Sequence, residues 1–320
     1  MENKEILIQT KGLKKYFSTP SGLLHAVDDI NITIRRGTTL GVVGESGCGK
    51  STLGRVLLRL LRPTEGEIWF KGKDIAGFNN REMKAFRRDA QIIFQDPYAS
   101  LNPRMSVSGI IAEPIIVNKT AKNAADMSQQ IRRLMETVGL SDRLTNSYPH
   151  ELDGGRRQRI GVARALSVDP DFIVCDEPVS ALDVSIQAQI LNLLMDLQDR
   201  MGLTYVFITH DLSVVKHISD EIAVMYLGQC VEFATAGELF ARPLHPYTQA
   251  LLEAIPLPSL KHRGRSREIL QGEITNPIEP KPGCRFAPRC KRAAAVCSTR
   301  NYGLVDQGGG HLVACECYNR

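Results

Sequence analysis

The chain has 320 residues, 43% of them hydrophobic and 23% charged, with a formal net charge of +5. This is ordinary globular composition with enough length for one large core and an appendage, and it excludes fibrous, disordered and small disulfide-stapled classes. No run approaches the ~18 apolar residues of a membrane-spanning helix, and basic residues nowhere alternate with aromatic ones as a nucleic-acid face requires. The opening MENKEILIQT lacks an apolar signal core, so a cytosolic chain is expected.

Residues 5–42 read as short strands with turns: ILIQTKGLKKYF alternates loosely, and ITIRRGTTLGVVG runs from a Gly turn into an apolar strand. The next segment, GESGCGKST, fits G-x-x-x-x-G-K-[ST] and precedes a helical LGRVLLRLL, the strand–loop–helix context that a phosphate-binding loop needs. Backbone N–H groups of Gly44, Glu45, Ser46, Gly47, Cys48 and Gly49 would wrap phosphates, and the following helix points its positive end at them. Lys50 would reach the β- and γ-phosphates, Ser51 would offer its hydroxyl to Mg²⁺, and Thr52 completes the motif.

Pro63-Thr64-Glu65-Gly66 ends that helix in a turn, followed by the strand EIWF and the hairpin-like KGKDI. Residues 81–150 are richer in helical patterns, interrupted by the turn signals of QDPYASLNP. From Leu152 to Thr209 the order is helix, apolar strand FIVC, helix VSIQAQILNLLMDLQDRM and apolar strand TYVFIT. Apolar strands alternating with helices predict a parallel sheet covered on both faces. FIVCDEP ends its strand on an acidic pair, where Asp176 can hold Mg²⁺ through water and Glu177 can polarise an attacking water.

After residue 240 the composition shifts, through a basic Lys261-His262-Arg263 stretch, to Pro-, Cys- and Gly-rich sequence. Two domains are expected, residues 5–255 and 256–320. Five of the eight cysteines fall between Cys284 and Cys317. In a cytosolic chain such clustering points to a metal site before a disulfide framework. The spacing C-x5-C-x6-C with Cys315 further on lacks paired C-x2-C knuckles, and on softness alone its thiolates suit iron–sulfur or zinc.

ELDGGRRQRIGVARAL at 151–166 resembles the signature helix of ATP-binding cassette (ABC) ATPases, and the resemblance extends over residues 5–255 through IIFQDP, SALD and FITHD in the family's order. It implies an α/β fold of the P-loop NTPase class: a RecA-like core, an N-terminal antiparallel β subdomain and a helical signature subdomain, here with a small Cys-rich C-terminal extension. It also implies ATP and Mg²⁺ as cofactors, and two cassettes closing head to tail with ATP between one P-loop and the other signature. Gln95 becomes the Q-loop residue, which senses the γ-phosphate, joins Ser51 and Asp176 around Mg²⁺ and contacts the transport partner. His210 becomes the switch histidine, so that Lys50, Gln95, Glu177 and His210 form the catalytic set. Asp183 lies in the D-loop across the dimer interface, and LKKYF supplies an adenine-stacking ring, Phe17 by register with Tyr16 as the alternative.

The signature departs from LSGGQ, with Asp153 where Ser is usual and Arg156 where Gln is usual, beside the expected Gly154 and Gly155. A carboxylate ~4 Å from a partner-bound phosphate costs on the order of 4 kcal/mol per unit charge at an effective dielectric of ~20. Arg156 or Arg157 could offset this, or Asp153 could simply cap the helix. The sharper expectation is a heterodimer with a paralogous cassette, whose two ATP sites are unequal because the altered half is lent to the partner.

QDPYASLNPRM and LHPYTQALLEAIP resemble the ATPase subunits of bacterial dipeptide, oligopeptide and nickel importers. That implies a peripheral subunit on the cytoplasmic face of the membrane, powering import with a second ABC subunit, two integral membrane permeases and an external solute-binding protein. In some members the cysteine cluster holds [4Fe-4S], which here implies Cys284, Cys290, Cys297 and Cys315 as ligands, with Cys317 spare and zinc as the alternative. A nickel or other solute importer, an exporter and a soluble cassette acting on DNA or ribosomes are the rival readings. The last usually carries two cassettes or a long coiled-coil insert, and neither is present.

Overall fold

The computed structural model describes residues 4–255 and 277–318 and divides into two compact units. The first consists mainly of residues 75–208. Its sheet is parallel, with Phe172–Asp176 between Ala90–Ile93 and Thr204–Ile208. Every residue of Phe172–Asp176 and Thr204–Ile208 is buried, which is why these strands read as unbroken apolar runs. Helix Val184–Met201 matches the expected segment and stops at Gly202, whose φ of 67° is the left-handed cap geometry glycine adopts most easily. The signature helix Gly154–Leu166 packs against Val107–Asn118 and Ala124–Thr137. QDPYASLNP is more than a turn: Pro97–Ser100 forms a short helix whose first amides, on Tyr98 and Ala99, donate to the Asp96 carboxylate.

The second unit carries residues 6–34, 39–74 and those from 209 onward. One sheet is antiparallel, with Ile6–Thr19 pairing Gly22–Ile30 on one side and Glu65–Phe70 on the other, and Lys73–Asp74 completing the expected hairpin. Ile6–Thr19 is one strand of 14 residues where short strands were expected. Its register shifts around Leu13–Tyr16 break strict alternation, so the sequence pattern looks interrupted although the strand continues. Helix Lys50–Leu57 is shorter than the LGRVLLRLL run suggests. The chain leaves it through Arg59 at a φ of 53°, and Glu65-Gly66, expected in the turn, opens the next strand.

A second sheet in this unit runs from Thr39–Val43, parallel to Glu221–Tyr226, through Gln229–Thr235 to Leu312–Val313 and Val305–Asp306, these last three pairings antiparallel. The Cys-rich extension thus continues a sheet that begins at the phosphate-binding loop. Lys261-His262-Arg263 and the residues just past the expected 255/256 boundary lie outside the described residues.

The carboxylate of Glu232, 0% exposed, ties this assembly together. It accepts from the amides of Leu244 at 2.7 Å and His245 at 2.9 Å, and meets His311 Nε2 of the extension at 2.7 Å. His245 in turn caps helix Pro246–Glu253, its Nδ1 accepting from the Tyr247 amide at 3.1 Å. Burial pushes the His245 imidazole down to about 3 from an ordinary 6.5, so the ring stays neutral, as an acceptor must. Below 6.5 the unfolded chain takes up a proton that the folded ring refuses, and stability falls with pH until about 3. Urea melts in this window are expected to show wild type losing up to about 1.4 kcal/mol per pH unit more than His245→Asn, which keeps an acceptor but does not titrate.

Candidate nucleotide site

Gly44 and Gly49 have no room for a side chain. A Cβ on Gly49, at φ +104°, would lie 1.9 Å from the Ala26 carbonyl oxygen, and one on Gly44, at φ +152°, 2.2 Å from that of Met225. The neighbouring backbone therefore sets the curve of the loop, which feeds helix Lys50–Leu57 with Ser51 and Thr52 in its first turn. Lys50 is 5% exposed, and its ammonium donates to the carbonyls of Gly44 at 2.8 Å and Glu45 at 3.0 Å. Cys48 is buried and desolvation pushes its thiol up; its carbonyl accepts from the Gly228 amide at 2.8 Å. Ser46 and Gly47 form the exposed lip.

The extension reaches this loop. Arg289 donates to both carboxylate oxygens of Glu45, at 2.8 and 3.0 Å, and the Glu45 amide donates to the Tyr247 hydroxyl at 2.9 Å. Arg285 pairs with Asp28 and donates to the Leu227 carbonyl. Asp28 also accepts from the Tyr16 hydroxyl at 2.5 Å. Burial pushes the Asp28 carboxyl up, yet Tyr16, Arg285 and His25 outweigh it and hold the group below the usual carboxylate range. Tyr16 is further occupied by His25, stacked 3.9 Å away, whereas the ring of Phe17 carries only the Lys15 ammonium at 4.8 Å among the ring contacts resolved. Of the two candidates for adenine stacking, this leaves Phe17 as the available ring.

In the other unit, Asp176 is 2% exposed at the end of its strand. Glu177 follows in the left-handed region at a φ of 47°, a costly conformation for a non-glycine residue that concentrates at functional sites. Its amide donates to the Ile208 carbonyl at 3.0 Å, and its carboxylate accepts from Gln95 Nε2 at 2.9 Å. Gln95 and Glu177, 82 positions apart in sequence, are thus brought together. Asp183 is exposed at the N-terminus of Val184–Met201 and makes no side-chain cap. His210 is exposed, just before the cap residue Asp211 of helix Leu212–Ile218.

Asp153 caps the signature helix. Its Oδ1 accepts from the Arg156 amide at 2.8 Å, and its Oδ2 lies 3.4 Å from Arg156 Nε. Gly154 and Gly155 form the first turn, pressed against Leu182 and Ile186. The Arg157 side chain turns away to the Pro149 carbonyl at 2.7 Å. Arg156 is therefore the arginine that faces the carboxylate, and capping is the structural role of Asp153.

Cys284, Cys290, Cys297, Cys315 and Cys317 line one cavity together with His245. Burial pushes the Cys284 and Cys290 thiols up, and that of Cys315 to about 12. Thiols are the donor type that iron–sulfur and zinc sites use. Among the described residues, however, no three His, Cys, Asp or Glu side chains are arranged to hold one metal ion. The expected iron–sulfur or zinc ligation is thus not supported by this arrangement.

The ABC transporter family matches residues 27–180, and the oligopeptide/dipeptide transporter C-terminal region matches residues 231–297. The dipeptide transport ATP-binding protein DppF of Haemophilus influenzae is 50% identical over 97% of this chain and 96% of its own length. The oligopeptide transport ATP-binding protein OppF of Bacillus subtilis is 54% identical over 87% of this chain and 95% of its own. The chain belongs to the ATP-binding subunits of the oligopeptide/dipeptide ABC transporter family. Its fold is that of the cassette: a post-hydrolysis dimer of the ATP-binding cassette MJ0796 bound to ADP and Pi aligns with a TM-score of 0.66 at 27% identity, covering 72% of this chain and 99% of that one. No helix among the described residues is long and apolar enough to cross a membrane.

Asp28, Tyr247, Arg285 and Arg289 escaped the sequence reading. HPYT marked a family without revealing that its tyrosine holds the Glu45 amide, and nothing in the local sequence sets Arg285 or Arg289 apart. For the signature helix, Asp153→Ala is expected to lower stability by about 1 kcal/mol in chemical denaturation, while Asp153→Ser, which also caps, stays within a few tenths.

Proposed function

We propose that this chain hydrolyses ATP to power peptide import, at the cytoplasmic face of a membrane, beneath two permease subunits supplied by an external peptide-binding protein. What carries the reading is near-full-length similarity, at about half identity, to dipeptide and oligopeptide transport ATP-binding proteins, together with the intact Gln95–Glu177 pair. Nickel or another solute is the competing cargo. Ligand binding by the cognate external protein decides between them.

The chemistry assigned to each residue is as follows. The Gly44–Gly49 loop, through the amides not taken by Tyr247 or by the Glu45 carbonyl, gathers the phosphates together with Lys50; Ser51, Asp176 and Gln95 are each assigned to the Mg²⁺ that the fold family implies. Mg²⁺ would neutralise phosphate charge. Glu177 accepts a proton from the attacking water and is oriented by the Gln95 amide, while His210 contacts the γ-phosphate. Phe17 stacks on adenine. Asp183 and the Asp153–Arg156 signature act on a second cassette.

That second cassette is proposed to be a paralogue. The chain's own catalytic residues are complete, and its departures lie only in the signature it lends. Glu177→Gln is expected to lower hydrolysis in the assembled complex by about 10²–10⁴-fold at the site it serves, while the equivalent change in the partner has a smaller effect. Equal losses from the two would rule out unequal sites.

The cysteine-lined cavity is proposed, on the chemistry of its thiols and not on their present arrangement, as the seat of a [4Fe-4S] centre with a structural or regulatory role, zinc being the alternative. Anaerobically purified protein is expected to contain iron and acid-labile sulfide with a visible thiolate-to-iron absorbance, all lost in Cys290→Ser. Zinc without sulfide would overturn iron–sulfur.

A further inference from the structure

Glu45 is the one acidic residue of the GESGCGKST loop. A carboxylate there works against the loop's own task, because it repels the triphosphate that the amides and Lys50 attract. Lys50 does not quench it, since its ammonium points to the carbonyls of Gly44 and Glu45. The neutralising charge comes from the extension. Both carboxylate oxygens are held by Arg289, a bidentate fork that fixes direction as well as charge.

This pair is sheltered. The Arg289 side chain is 5% exposed and that of Glu45 23%. The guanidinium lies 5.9 Å from the Tyr226 ring and donates to its hydroxyl at 3.4 Å. Tyr226 is itself packed edge-on against Tyr247 and Phe286. The Tyr247 hydroxyl fixes the Glu45 backbone from the same side.

We propose that Arg289 is a positioning residue for ATP binding: it draws the Glu45 carboxylate toward the extension and neutralises it, leaving the loop's amides and Lys50 to face the phosphates. The C-terminal extension thereby becomes a working part of the nucleotide site. This rests on the nucleotide-binding reading of the loop given above.

The test is equilibrium titration of Mg-ATP into the full-length chain, with thermal melts in parallel. Arg289→Gln is expected to weaken ATP binding about 10- to 100-fold, most strongly at low ionic strength. Arg289→Lys, which keeps the charge but loses the fork, should fall between wild type and Arg289→Gln. The double variant Glu45→Gln with Arg289→Gln should recover most of the affinity, because no uncompensated carboxylate remains. A purely structural arginine would not be rescued in this way. The inference fails if wild type binds ATP and folded Arg289→Gln binds it equally well, or if the double variant binds no tighter than the weakest single variant. A wild-type chain that binds no ATP would instead overturn the nucleotide reading itself.

Discussion

A loop that offers backbone amides to a ligand has few left to hold itself together: the Cys48 amide closes on the Glu45 carbonyl at 3.3 Å and the Glu45 amide on the Tyr247 hydroxyl. Gly44–Thr52 must therefore be shaped from behind, and contact with neighbouring backbone does this. The Ala26 carbonyl lies where a Gly49 Cβ would be, and the Met225 carbonyl where a Gly44 Cβ would be. The residues after Met225 extend the support. The Gly228 amide binds the Cys48 carbonyl, while the Gly228 carbonyl accepts from the Asp28 amide. The antiparallel sheet and the Glu221–Thr235 hairpin are thus the mould of the phosphate loop as much as neighbours of it.

Much of that mould depends on the extension. Arg285 closes on Asp28 of strand Gly22–Ile30 and on the Leu227 carbonyl in the turn after Glu221–Tyr226, and Arg289 closes on the loop. Cys284 and Cys290 adjoin these arginines in sequence, and Phe286 between them is buried against Tyr226 and Tyr247. Pairing explains why two arginines can be nearly buried here despite the desolvation cost. Each meets a carboxylate, which compensates the charge, and each packs beside aromatic or backbone groups that hold its geometry. Glu232 does the same from the far edge, joining Gln229–Thr235 to the cap of Pro246–Glu253 and to His311.

What was legible in the sequence was local. Gly-rich spacing, an apolar strand ending in Asp176-Glu177 and the periodicity of Val184–Met201 each state their structure within a few residues, because backbone geometry and solvent contact are set there. Ile6–Thr19 was less legible, since its bulges disrupt the period-two pattern that announces a strand. The contacts that support the site were not legible at all. Glu45 and Arg289 are 244 positions apart, and Asp28 and Arg285 are 257 apart. Nothing in either local sequence names its partner. Tyr16 and Phe17 show the same limit in miniature, because only the stacking of His25 separates their roles.

The signature helix brings capping and an added charge into one residue. Its first turn needs a side-chain acceptor for an orphan amide, and Asp153 supplies it as Ser would. The charge that Asp adds is met by Arg156, three residues on, at the position where the usual pattern has Gln. The two departures are therefore one compensated change and not two separate lesions, and the helix itself is undisturbed. Both side chains remain substantially exposed, at 60% and 47%, so the ion pair between them is weak and screened. A phosphate approaching from a second cassette would compete with Asp153 for Arg156. How readily that guanidinium leaves its carboxylate is a property of this chain alone.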